Sequence, residues 1–156
     1  MIVFREIDDA DPALPGGWSA IGIVAQPRAT RGYWILADSG AVYAYGGAPY
    51  LGGANGAIPA GMEAVGMAPT PSGNGYWIVS SEGGVYAFGD AQHYGGTNTS
   101  LPAGWFATSL TPTASGRGYW ILANSGAVYT FGDAQYYGGA NGAIPGTDLP
   151  AVSLQT

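Results

Sequence analysis

Cysteine and lysine are both absent from the 156-residue chain, and only 9% of its residues are charged. Without cysteine, a disulfide framework and a thiolate metal site are both excluded. The four basic residues are all arginine, ten residues are acidic, and the net charge is −6. Because binding to a phosphate backbone needs clustered lysine and arginine, this composition argues against a nucleic-acid partner.

Long hydrophobic runs are also missing. No run of about 18 apolar residues is present, so we expect no membrane insertion. The opening "MIVFREIDDADPALPGGW" has acids where a secretory signal needs an apolar core, so no signal peptide is predicted. Glycine and proline are abundant, with 28 and 11 residues, beside 47% hydrophobic and 13% aromatic content. This combination predicts a folded chain with many tight turns.

One aromatic, glycine-rich phrase occurs three times. It reads "GYWILADSGAVYAYGGAPYLGG" at 32–53, "GYWIVSSEGGVYAFGDAQHYGG" at 75–96 and "GYWILANSGAVYTFGDAQYYGG" at 118–139, a spacing of 43 residues each time. We therefore divide the chain into an acidic leader at 1–16 and a three-repeat domain at 17–156, which ends in a partial repeat at 147–156. The repeated Tyr-Trp pairs are predicted core residues: Tyr33, Trp34, Tyr76, Trp77, Tyr119 and Trp120.

Each repeat predicts four short β-strands and essentially no helix, because β-branched and aromatic residues alternate with turn residues and no helical stripe is present. Between the second and third strands, a three-residue hairpin needs a left-handed residue, and glycine occupies that place at Gly40, Gly83 and Gly126. The third strand ends at Gly46-Gly47, Gly89-Asp90 or Gly132-Asp133. A type II′ turn there leads into a predicted fourth strand, "AQYYGG" in the third repeat.

The strands are apolar on both faces. In "GYWIL", Tyr33 and Ile35 point one way, and Trp34 and Leu36 point the other. In an antiparallel sheet with one solvent-exposed face, apolar and polar residues alternate along each strand. These strands lack that alternation, so the small sheets are predicted to stack like the blades of a β-propeller. The 43-residue length suits such a blade. A β-trefoil, also built from three units of about this length, is the alternative.

Three blades do not close a ring, since propellers typically have four to eight. An open array leaves an apolar face at each end, and such faces seek partners. We therefore expect a homo-oligomer, for example two chains forming a six-bladed ring, or docking onto a larger protein assembly. The partial repeat at 147–156 is well placed to complete a partner's sheet.

The repeated phrase resembles a repeat of actinobacterial extracellular and cell-wall-associated proteins, with the approximate form GYW-(L/I)-V-A-x-D/S-G-G-V-(F/Y)-x-(F/Y)-G-D-A-x-(F/Y)-Y-G. The resemblance covers about 17–156. It implies non-catalytic modules that are often attached to enzymes; host-like modules of this kind also occur in actinobacteriophage virion proteins. This chain departs from the pattern in having three copies, no attached enzyme and no signal peptide. The implied localisation is a virion surface, or an extracellular or cell-wall-associated site.

Few residues suggest catalysis or metal binding. Asp90 and Asp133 are repeat equivalents, so similar surroundings would not split their pKa values as an acid–base pair requires, and a turn role is favoured. His93, the only histidine, corresponds to tyrosine in the other repeats, which favours a rim or packing position. The acids of "IDDADP" in the leader could hold calcium, but their spacing favours a solvated or partner-docking tail. We therefore predict no enzyme, no metal and no cofactor.

The remaining aromatic residues have two interpretations, packing between blades and glycan contact. Tyrosines in the predicted fourth strand lie near Asn, Gln and Asp, a combination suited to stacking on sugar rings, although packing between blades is the favoured interpretation. These candidate ligand-binding residues are Tyr50, Tyr94, Tyr136 and Tyr137, together with His93. The leading hypothesis is thus a non-enzymatic structural module, for example a decoration or tail component of a phage virion. The alternative is a carbohydrate-binding module for actinobacterial cell-wall glycan.

Overall fold

The computed structural model describes residues 14–28 and 32–141, and these residues form nine β-strands with no helix. The first 13 residues of the predicted leader and the partial repeat at 147–156 lie outside the described residues. The strands are β1 (Ala20–Ala25), β2 (Gly32–Ala37), β3 (Val42–Gly46), β4 (Ala64–Pro69), β5 (Gly75–Ser80), β6 (Val85–Gly89), β7 (Ala107–Pro112), β8 (Gly118–Ala123) and β9 (Val128–Gly132). The all-β prediction is confirmed.

The nine strands form three separate antiparallel sheets, one for each repeat. Their orders are β1-β2-β3 in repeat 1, β4-β5-β6 in repeat 2 and β7-β8-β9 in repeat 3. The register is the same in all three sheets, and each first strand has an irregularity at the same place. Among the described strands, hydrogen-bonded pairing stays within each repeat, and neither a closed ring nor a closed barrel is formed.

The sheets have three strands rather than the predicted four. In repeat 1, residues 48–53 run back from the end of β3 to the β2–β3 turn, where the amide of Ala54 donates to the carbonyl of Gly40. No strand is assigned to this segment or to its equivalents at 91–96 and 134–139. A glycine with φ between 118° and 128° interrupts each segment, at Gly52, Gly95 and Gly138. A regular strand cannot pass through that conformation.

The predicted hairpin glycines adopt the left-handed conformation. Gly40, Gly83 and Gly126 have φ values of 95°, 91° and 92°. The first two are also places of close approach, because a Cβ on Gly40 would lie 2.9 Å from the backbone of Ala54, and one on Gly83 would collide with Thr97. Any side chain would therefore strain both the backbone and the packing.

The hydrophobic core lies between the sheets. One cluster joins Trp34 and Leu36 of β2 to Tyr76 and Ile78 of β5. A second cluster joins the other face of β5 to β8 in the same manner. Every residue of β5 is buried, so the central sheet is covered on both sides, as the doubly apolar strands predict. The residues of β1 are mostly exposed, because no described sheet lies outside repeat 1.

Candidate functional site

The contact between consecutive repeats, which we call a joint, is built around one tyrosine. In the joint between repeats 1 and 2, the Tyr76 hydroxyl donates to the carbonyl of Gly52 (2.6 Å) and accepts from the amide of Leu51 (3.1 Å). In the joint between repeats 2 and 3, Tyr119 bonds in the same way to Gly95 (2.7 Å) and Tyr94 (2.9 Å). Each hydroxyl thereby satisfies two backbone groups that no strand ladder pairs.

The same tyrosines pack edge-on against the tryptophan of the preceding repeat. The Tyr76 and Trp34 rings are 5.1 Å apart at 65°, and the Tyr119 and Trp77 rings are 5.6 Å apart at 63°. Such edge-to-face pairs add stability beyond the area that they bury. Each tryptophan also donates its indole N–H within its own repeat, for example from Trp34 to the carbonyl of Pro49 (2.8 Å). The joint is therefore held by packing and by specific hydrogen bonds.

Burial raises the pKa of Tyr76 to about 12, although the hydrogen bonds at its oxygen act in the opposite direction. Burial likewise raises the pKa of Tyr119. Both phenols are thus neutral over the physiological pH range. As neutral phenols they can donate to the glycine carbonyls and accept from the backbone amides at the same time.

A glycine at each joint admits an aromatic ring of the next repeat. A Cβ on Gly52 would lie 2.7 Å from Cδ1 of Phe88, and a Cβ on Gly95 would lie 2.8 Å from Cδ1 of Phe131. In repeat 3, a Cβ on the equivalent Gly138 would have no described atom within 4 Å. Repeat 3 therefore presents the receiving side of a joint without a following repeat among the described residues.

The residues that form the internal joints are more exposed at the two ends of the described stack. Tyr33 of repeat 1 is 41% exposed, whereas its equivalents Tyr76 and Tyr119 are 0% exposed. Trp120 of repeat 3 is half-buried, whereas Trp34 is 0% exposed. We call the exposed side of repeat 1 the N-terminal face and the exposed side of repeat 3 the C-terminal face. The N-terminal face comprises Ile23, Tyr33, Ile35, Tyr43 and Tyr45; the C-terminal face comprises Trp120, Tyr137 and Gly138.

The predicted ligand-binding residues fall into two groups. Tyr94 is half-buried and packs on Tyr119 at 5.8 Å, so it belongs to a joint. Its equivalent Tyr137 is 82% exposed on the C-terminal face. The structure does not bring Tyr94 and Tyr137 together, since they occupy successive repeats. The other three, Tyr50, His93 and Tyr136, occupy one repeat position and are exposed in every repeat.

The two repeated aspartates brace loops. The Oδ1 atom of Asp90 accepts a hydrogen bond from Thr70 (2.8 Å), and its Oδ2 atom accepts one from Ser72. The backbone amide of Asp90 donates to the carbonyl of Asn74, which ties the β4–β5 loop to the end of β6. Sequence reasoning missed the two hydroxyl partners, although "TPS" and "TAS" recur in register with the aspartates.

Asp133 repeats this arrangement in repeat 3. It accepts hydrogen bonds from Ser115 and from Thr113 (2.7 Å), and these bonds hold its pKa below the usual 3.8. In repeat 1, Gly47 takes the aspartate's place. The brace is therefore a feature of repeats 2 and 3.

The loops at one edge of the sheets enclose a polar groove of about 500 Å³. Its lining includes Arg28, Ser72, Asn74, Asp90 and Ser115, so all three repeats contribute to it. Arg28 has a left-handed φ of 64°, the conformation that a non-glycine residue adopts only with some strain. The groove offers donors and acceptors with few apolar surfaces.

The described part of the chain offers no evident metal centre, because no group of three or more His, Cys, Asp or Glu residues there could hold a metal ion. No helix among these residues has the length and apolarity needed to cross a bilayer. We found no significant match to the chain among protein-family models, curated proteins or solved structures.

Proposed function

We propose that this chain is a non-enzymatic structural module that assembles through its two open faces, either with itself or onto a larger particle. One observation carries the proposal: Tyr33 is 41% exposed and Trp120 is half-buried at the two ends, whereas their equivalents in the internal joints are 0% exposed. An apolar face of a repeat stack is costly to leave in water, and terminal repeats of stable stacks are normally polar. The two faces are therefore interaction surfaces.

The proposed assembly has propeller-like geometry. Small sheets that stack face to face through aromatic joints have the packing required of blades, and three of them fall short of a ring. The resemblance of the repeats to actinobacterial extracellular modules supports a role outside the cytoplasm. A decoration or tail component of an actinobacteriophage virion, or a cell-wall-associated module, suits both features.

The environments of the polar residues support a non-catalytic role. Asp90 and Asp133 each accept hydrogen bonds from two hydroxyls and serve the same loop in their repeats. A general acid–base pair needs two different environments. His93 is exposed and corresponds to Tyr50 and Tyr136 in the neighbouring repeats.

Light scattering coupled to size exclusion tests the proposal on the full chain over a range of concentrations. We expect a species of defined mass larger than one chain. Immunogold labelling of virions and of actinobacterial cell walls tests the docked form with the same protein. A stable monomer that also labels neither surface would contradict the proposal.

Carbohydrate binding is the second candidate function. The observation that favours it is that one repeat position, occupied by Tyr50, His93 and Tyr136, is exposed in all three repeats. Exposed aromatic rings that recur in each repeat suit multivalent stacking on a polysaccharide. A pull-down with purified cell-wall glycan tests this function. The variant Tyr50→Ala with Tyr136→Ala should lose binding, whereas the brace variant Asp133→Asn should retain it.

A further inference from the structure

We propose that the partner of the C-terminal face is the N-terminal face of a second copy of this chain, and that Tyr33 is the residue that docks. The inference rests on the proposed function and specifies its partner. The new joint would reproduce the two internal joints, because all the participating residues are separated from their internal equivalents by the 43-residue period. It thus continues an interface that the molecule already forms twice.

The hydrogen-bonding groups of the two faces are complementary. Tyr76 and Tyr119 each bond to an amide and a carbonyl of consecutive residues in the preceding repeat. One period further on, the corresponding groups are the amide of Tyr137 and the carbonyl of Gly138. The Tyr33 hydroxyl of a second copy would accept from the first and donate to the second.

The shapes of the two faces also match. Tyr33 packs on Tyr45 with ring centroids 5.6 Å apart, as Tyr76 packs on Phe88 at 5.7 Å. The ring of Phe88 occupies the space over Gly52. The ring of Tyr45 from a second copy would therefore occupy the open space over Gly138.

The aromatic residues of the C-terminal face lack the cover that their internal equivalents have. Tyr94 packs against Tyr119 of the next repeat, whereas its equivalent Tyr137 is 82% exposed. Trp77 is fully buried by the same neighbour, whereas Trp120 is half-buried. Docked Tyr33 would cover Trp120 and Tyr137 together, as Tyr119 covers Trp77 and Tyr94 at the second internal joint.

The two faces are different surfaces, so the contact is head-to-tail. A two-fold contact of the N-terminal face with itself would leave the C-terminal face exposed. A head-to-tail contact closes a ring when the rotation allows and otherwise extends into a filament. Two chains supply six sheets, a number within the usual range for propellers, so we expect a dimer with two equivalent joints.

Mixing two defective variants tests the head-to-tail joint. Tyr33→Ala damages only the N-terminal face, and Gly138→Ala places a methyl group where Tyr45 of the partner would lie. Each variant alone should have its dimer dissociation constant raised roughly 30-fold, the effect of a central interface residue. Mixed in equal amounts, they form a heterodimer in which one joint is intact, and association should recover. Sedimentation at about 0.15 M ionic strength limits repulsion between the acidic copies.

The outcomes separate this proposal from the proposed function. A chain that associates equally well with Tyr33→Ala and Gly138→Ala overturns the joint but leaves self-assembly standing. Loss on Tyr33→Ala with no effect of Gly138→Ala and no recovery on mixing indicates a two-fold contact, which also overturns the joint. A chain that is monomeric at all concentrations removes the second copy as the partner, and only particle or cell-wall docking is left to test. Circular dichroism of each variant establishes that it is folded.

Cross-linking provides a second readout, because the chain contains no cysteine. Tyr45→Cys and Gly138→Cys in one chain, treated with a short thiol cross-linker, should yield intermolecular products. The matched control is Phe131→Cys with Gly95→Cys, which places the two cysteines at the equivalent positions of an internal joint. This variant should cross-link within one chain. Cross-linking of residues 45 and 138 within a single chain would contradict the proposal.

Discussion

Tyr76 and Tyr33 occupy the same position in the repeated Gly-Tyr-Trp sequence, yet Tyr76 lies inside the molecule and Tyr33 lies at its end. Tyr76 is fully buried, with two backbone hydrogen bonds and an indole beside it, whereas Tyr33 is 41% exposed. Of these two tyrosines, only Tyr76 has a described repeat in front of it. A residue's role in a repeat protein therefore depends on its neighbouring copy. Substitutions at equivalent positions can separate the contribution of a joint from that of the repeat itself.

Removing the buried tyrosine should have the largest effect. Tyr76→Ala deletes a fully buried ring and leaves two backbone groups without partners, so we expect a loss of about 3–5 kcal/mol in unfolding free energy. Tyr33→Ala should cost about 1 kcal/mol or less, because its side chain is exposed in the monomer. Urea unfolding at low protein concentration measures both. Equal losses of unfolding free energy in the two variants would show that the contacts of Tyr76 in the joint add no stability.

The matched glycines sharpen the comparison. Gly95→Ala and Gly138→Ala share a positive φ, so both carry a backbone cost. Only at Gly95 does the new methyl group meet a ring, that of Phe131. Gly95→Ala should therefore be less stable than Gly138→Ala by about 1–3 kcal/mol in urea unfolding of the monomer. A difference near zero would mean that the Phe131 ring moves aside freely.

Removing only a hydroxyl isolates the hydrogen bonds. Tyr119→Phe keeps the ring against Trp77 but leaves the amide of Tyr94 and the carbonyl of Gly95 without their partner. We expect a loss of about 1–2 kcal/mol. Tyr33→Phe in the monomer should change stability by no more than about 0.5 kcal/mol. The same unfolding assay compares the two, and a neutral Tyr119→Phe would show that the joint is held by packing alone.

Alkaline pH should weaken the internal joints. The pKa of Tyr76 is raised by burial from 10.0 to about 12, so the folded state binds the proton more tightly than the unfolded state. Its contribution is complete below pH 10 and is lost as the pH rises toward 12. Unfolding free energy measured across this window should fall, and less steeply for Tyr76→Phe. Tyr33→Phe keeps both internal joint hydroxyls, so it is the control variant in which the fall should still be seen.

The smallest effect is expected at a brace outside the joints. The pKa of Asp133 is lowered by Ser115 and Thr113, so its contribution is present above pH 3.8 and is lost as the pH falls. Carboxyl titration by NMR should give a midpoint below 3.8 that rises in Ser115→Ala. Asp133 is exposed and binds hydroxyls of its own repeat, not residues of a joint, so dimerisation should be unchanged in Asp133→Asn. A change in association would place the loop in the interface.

Much of the fold could be predicted from local pattern. The hairpin glycines, the nine strands and the two apolar faces of "GYWIL" all follow from residue type and alternation. The prediction of a fourth strand was wrong because side chains bind the backbone of this segment: the Trp34 indole donates to the carbonyl of Pro49, and the Tyr76 hydroxyl binds Leu51 and Gly52. The indole bond lies within one repeat and the hydroxyl bonds come from the next repeat, and all of them join residues 15 or more positions apart, so no local pattern reveals them.

The candidate site divides in the same way. The sequence predicted that the tyrosines of the supposed fourth strand would be candidate contact residues. It did not predict that Tyr50 and Tyr136 would be exposed while Tyr94 would be part of a joint. The 43-residue period predicts three equivalent sheets that are apolar on both faces, because each copy has similar residues in the same alternation. Which copies become buried was decided by stacking in space, since burial depends on the sheet in front and the sheet behind. Repetition thus specified the parts, and three-dimensional contact assigned Tyr33 and Trp120 to open faces.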